Sequence, residues 1–64
     1  MIDYQNIKAG DEIEFYFGKE IKREKISEII NHQNISGFSV NMEGLPPRYL
    51  VPRKDIIAHY PKTP

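Results

Sequence analysis

The stretch Tyr49-Leu50-Val51-Pro52-Arg53-Lys54-Asp55-Ile56-Ile57 constrains this chain more than any other: an apolar run stops at a proline, makes one tight charged turn and restarts. Proline cannot donate to a sheet ladder, so Pro52 ends one strand rather than lying inside it. Pro52 to Asp55 fits a single turn of 3₁₀ type, and a last strand follows from Ile56 to Tyr60. Near the other terminus, Gly10 frees the backbone for a turn, and Asp11 is placed to bond nearby amides. Strict alternation then sets Ile13, Phe15 and Phe17 on one parity and Glu12, Glu14 and Tyr16 on the other, the period of a half-buried strand. Gly18 closes it.

The stretch Lys19 to Asn31 carries two signals. Its Lys, Glu and Arg favour helix, and Lys22, Ile26, Ile29 and Ile30 lie at helical spacing. The extended alternative makes Gly18 to Arg23 an exposed hairpin loop and Glu24 to Ile30 a strand, its parity shifting between Ile26 and Ile29 through a bulge. We read it as strand, because tertiary context overrides propensity over so short a window. After the polar turn Asn31-His32-Gln33-Asn34, a third strand runs from Ile35 to Met42. The loop Glu43-Gly44-Leu45-Pro46-Pro47 and a fourth strand from Arg48 to Val51 follow.

The expected architecture is all-β: a small five-stranded SH3-like barrel with one 3₁₀ turn before the last strand. It forms a single domain over residues 1–64, with 60–64 as a frayed tail. At the level of residues, Gly10-Asp11 before the first strand and Pro47-Arg48-Tyr49-Leu50-Val51 near the end resemble the small bacterial tudor-like domains, including those described as hypervirulence-associated. An aromatic of the first strand corresponds to Phe15 or Tyr16, whereas the glycines of the first hairpin loop are replaced by Lys22, Arg23 and Glu24. The resemblance implies a binding module.

Sixty-four residues bury only about 60% of the surface an unfolded chain exposes, which leaves no room for a deep substrate chamber. Cysteine is absent, so disulfides, thiolate metal sites and thiol nucleophiles are excluded together, and a reducing cytoplasm is expected. The opening residues have neither a basic n-region nor an apolar h-region, and no apolar run nears the roughly 20 residues that span a bilayer. A soluble, unprocessed chain with no membrane partner is the expectation.

Nine basic and nine acidic residues cancel, against the strong positive field of a dedicated nucleic-acid binder. Their distribution is uneven. Residues 1 to 18 hold Lys8 against Asp3, Asp11, Glu12 and Glu14, a net −3, whereas residues 44 to 64 hold Arg48, Arg53, Lys54 and Lys62 against Asp55, a net +3.

His32 and His59 lie 27 residues apart with no pattern of metal ligands, and both are expected at the surface. Ser27, Ser36 and Ser39 lack the surroundings of a nucleophile elbow. Glu12 and Glu14 read as a solubilising face, and the single glycines make no phosphate cradle. No enzyme, metal or cofactor is therefore expected. The candidate binding residues are Tyr16, Lys22, Arg23, Arg48, Tyr49, Arg53 and Lys54, cations and aromatics able to meet a carboxylate, a phosphate or an apolar stem. Tyr49 has a second reading as core, with Leu50 turned outward. A protein partner bound through the rim or a strand edge is the leading reading. Weak, salt-sensitive RNA or DNA binding is the alternative, in a monomer or homodimer.

Overall fold

The computed structural model describes residues 2–42, 44 and 48–62. Five strands form one antiparallel sheet: β1 (Glu12–Phe17), β2 (Glu20–Asn31), β3 (Ser36–Val40), β4 (Tyr49–Val51) and β5 (Ile56–Tyr60), in the order β4-β3-β2-β1-β5. Two 3₁₀ turns complete it, Tyr4–Asn6 and Arg53–Asp55. Among the described residues no ladder joins β4 to β5, so the sheet is open. The second turn and β5 stand where Pro52 and the restart at Ile56 require them. The first turn, capped by Asp3 accepting from the Gln5 amide at 3.1 Å, carried no pattern that distinguished it from loop.

Strand β2 organises the sheet. Its 12 residues serve two neighbours, with Glu20 to Lys25 opposite β1 and Ile26 to Asn31 opposite β3. A strand that changes partner must bend, and the register shifts between Ile26 and Glu28, where the bulge was expected. Ser27 is the extra residue. A bulge interrupts the ladder, and the Ser27 hydroxyl compensates by donating to the Ser39 carbonyl at 3.0 Å. Helical propensity in this stretch is overridden, because only an extended β2 lets Ile26 enter the core, where it is 1% exposed.

The first half of β2 corrects the expectation of a six-residue loop. Phe17 pairs directly with Glu20, leaving a two-residue turn, Gly18-Lys19, with Gly18 at φ 62 and Lys19 at negative φ. This is the pattern of a type II′ hairpin, which needs glycine at its first central position. Charged residues occupy both parities of β2 here, and Lys22, opposite Phe15 on the core-side parity, is half-buried, a position where a lysine stem can lie along apolar surface with its ammonium accessible.

The core gathers Ile7, Ile13, Phe15, Ile26, Phe38, Val40, Met42, Val51 and Ile56. Phe17 and Tyr49 close one end of it, their rings meeting edge-on at 5.2 Å, so Tyr49 follows its core reading. Gly37 sets the spacing of β3 and β4: a Cβ there would stand 2.6 Å from the Val51 carbonyl oxygen and 3.1 Å from Leu50 Cδ1. Gly37→Ala is therefore expected to cost about 3 kcal/mol, as overpacking against rigid backbone. Gly18→Ala has open space and only its left-handed backbone to strain, at about 1 kcal/mol. Urea denaturation of the two variants checks the order, and equal losses would contradict it.

Candidate interaction surface

The outer face of β5, β1 and β2 is built from three cross-strand rows. Lys25, Glu12 and Tyr60 form the first, Arg23, Glu14 and Ala58 the second, and Ile21 and Tyr16 the third, beside the hairpin turn. Directly opposed side chains on one face are the interacting unit of a sheet. The first two rows are tied diagonally: Arg23 Nε donates to Glu12 Oε1 at 2.6 Å, and the guanidinium carbon lies 3.7 Å from the centre of the Tyr60 ring. The Tyr60 hydroxyl donates to Glu14. That bond, with desolvation, pushes the Tyr60 phenol up, and the bond to Glu12 holds the Arg23 guanidinium above its usual range.

The third row is apolar and exposed. Tyr16 and Ile21 face each other at 53% and 58% exposure, and Ile57, also exposed, stands at the bulge where β5 shifts register against β1. Ile21 escaped notice in the sequence because it was placed in a loop. Only the two-residue turn brings it opposite Tyr16.

The expected binding residues fall into three groups. Tyr16, Lys22 and Arg23 lie on the β1–β2 hairpin, with Lys22 Nζ 3.4 Å from Glu20. Tyr49 begins β4 and Arg48 precedes it, one residue short of the strand start expected from the sequence. Arg48 takes a left-handed φ of 68 with its amide donating to Asn41 Oδ1 at 3.1 Å, and Tyr49 stacks on Phe15 at 6.4 Å. Arg53 and Lys54 occupy the second 3₁₀ turn, where Arg53 lies 5.7 Å from the centre of the Tyr4 ring and its carbonyl accepts from the Tyr4 hydroxyl at 3.2 Å.

His32 is exposed as expected, but His59 is a correction. Its Nε2 lies 2.7 Å from Asp11 Oδ2, with the His59 side chain 13% exposed, and the pair lines a cleft of about 580 Å³ with Lys8 and Lys62. Forty-eight positions separate the two residues, and nothing in either local pattern marks the contact. Asp11 also accepts from the Lys8 amide at 3.0 Å and the Lys62 amide at 2.8 Å, so Lys62, expected in the frayed tail, is tied back onto the entry loop. Thr63 and Pro64 lie outside the described residues. Both Asp11 oxygens are committed to holding chain segments, which suits a structural carboxylate rather than one that exchanges protons with a substrate.

Among the described residues no group of three or more His, Asp or Glu side chains converges as a metal site, and no helix is long and apolar enough to cross a membrane.

The Lys62 amide and the His59 ring, in that order, hold the Asp11 carboxyl at about 2 against its ordinary 3.8. A depressed carboxylate stabilises the fold above its unfolded value and loses that contribution as pH falls through the folded one. The stability difference between the wild type and Asp11→Asn should therefore be full above about pH 4 and shrink toward pH 2. Thermal melting across that window checks it, and a constant difference would contradict it.

Comparison with protein-family models, with curated proteins and with solved structures returns no match, so the reading of function rests on the geometry of this surface.

Proposed function

We propose that this chain is a non-catalytic binding module of the cytoplasm, built on an SH3-like, tudor-like open barrel, that engages a protein partner through the outer face of β1, β2 and β5. The order β4-β3-β2-β1-β5, a long bent β2 shared by two halves, and a 3₁₀ turn before the last strand support the barrel plan. The observation that carries the function is the pair Tyr16 and Ile21. Two large apolar side chains stand opposite each other, each more than half exposed, where the sheet has no core to cover them. A tyrosine offers a partner a rigid apolar ring at low entropic cost, and contiguous exposed apolar surface marks interaction sites.

Edge pairing has less support than the face. Strand β4 has three residues, between the left-handed Arg48 and Pro52, and β5 carries a bulge at Ile57. Short length and bulges are the devices by which edges resist added strands. Nucleic-acid binding by the basic residues is the competing reading. The pairing of Lys22 with Glu20 and of Arg23 with Glu12 favours the protein partner over it, since each pair sets a carboxylate beside the cation, where it repels a phosphate chain.

A photo-crosslinking residue at position 16 tests the proposal. Discrete protein adducts in cells, lost when Ile21→Ser is added, are expected, while stability changes by no more than about 0.5 kcal/mol for a surface substitution. Adducts insensitive to Ile21→Ser, or salt-sensitive RNA binding abolished by Arg53→Ala in place of protein adducts, would contradict it.

A further inference from the structure

The outer face has a second end. Four residues along β1 from Tyr16, about 13 Å by strand rise, the row Lys25–Glu12–Tyr60 borders a cleft of about 270 Å³ shared with Arg23 and Lys62. Three cations, Arg23, Lys25 and Lys62, face one carboxylate there, Glu12, a local balance of +2.

Two of these cations are held in place. Arg23 is fixed by the Glu12 bond and by the Tyr60 ring beneath it, which uses Nε and leaves the paired Nη groups with four further N–H donors. The Lys62 backbone is anchored to Asp11, and its side chain lies across Gly10, with Cδ 3.4 Å from where a Cβ would stand. Gly10 thus serves as both turn residue and bed for the lysine stem. Among the described residues neither Lys25 nor Lys62 makes a side-chain ion pair.

We infer that this cleft is a carboxylate receptor, taking an Asp or Glu side chain of the protein partner whose apolar residue rests on Tyr16 and Ile21. The inference rests on the protein-partner reading above and adds the partner's chemistry: an extended segment with an apolar and an acidic residue four positions apart. Two features select a carboxylate over a phosphate. Glu12 stands within the cleft and opposes a dianion more than a monoanion. The cations also form no continuous track for a polyanion, because Arg53 lines a separate depression with Asp3 and Tyr4.

The test is a titration of the ¹⁵N-labelled chain with the capped peptide acetyl-Leu-Thr-Ser-Thr-Glu-amide, its Gln counterpart and inorganic phosphate, followed by NMR. The Glu peptide is expected to shift the amides of Tyr16 and Ile21 together with those of Arg23, Lys25, Tyr60 and Lys62. The Gln peptide should shift the first pair only. The double variant Lys25→Gln/Lys62→Gln should weaken the Glu peptide roughly tenfold, to the level of the Gln peptide. Equal binding of the two peptides overturns the receptor and leaves the apolar face standing. Binding of neither overturns both. Phosphate displacing the Glu peptide at lower concentration overturns the choice of carboxylate.

Discussion

The structure depends on how Ile26 is fastened. At this residue β2 leaves one neighbour and takes up another, and both of its backbone groups are bonded to the entry loop: the Gly10 amide donates to the Ile26 carbonyl at 2.9 Å and the Asp11 carbonyl accepts from the Ile26 amide at 2.8 Å. The Ile26 side chain meanwhile fills the core opposite Val40. Asp11 extends the clasp through its carboxylate to Lys8, His59 and Lys62. A chain of 64 residues without cysteine has no covalent staple, and a small core alone leaves such domains marginal. Here one polar residue joins the entry loop, the bend of β2 and the end of β5.

That fastening also prepares the outer face. Because the chain after β5 is tied to Asp11, Tyr60 is held opposite Glu12 and forms the floor on which Arg23 lies. The apolar pair Tyr16 and Ile21 sits at the other end of the same face, on β1 and β2. For the partner proposed above, rigid backbone between the apolar pair and the oriented Arg23 would leave little ordering cost to be met on binding.

Most of the fold was legible in local pattern. Alternation marked β1 and β3, Pro52 and the restart at Ile56 marked the second 3₁₀ turn and β5, and the parity slip from Ile26 to Ile29 marked the bulge. What escaped were features decided at long range. The first half of β2 was hidden because Glu20, Lys22 and Glu24 sit on the parity that usually faces a core, and only the position of Phe15 explains why a lysine stem belongs there. Ile21 was hidden with it. His59 and Lys62 become informative only through Asp11, about fifty positions away in the chain, and no spacing rule reaches across such a distance. Of the site, the cations and Tyr16 were legible as residue types, whereas their grouping required the register of three strands.

Native-state hydrogen exchange at the Ile26 amide tests this account most directly. If Ile26 is the pivot, its amide exchanges only through global unfolding, with the protection and urea dependence of the whole domain. Exchange of Ile26 through local opening, while the amides of Ile13 and Phe38 stay protected, would show that the sheet holds together without the pivot and would contradict the account.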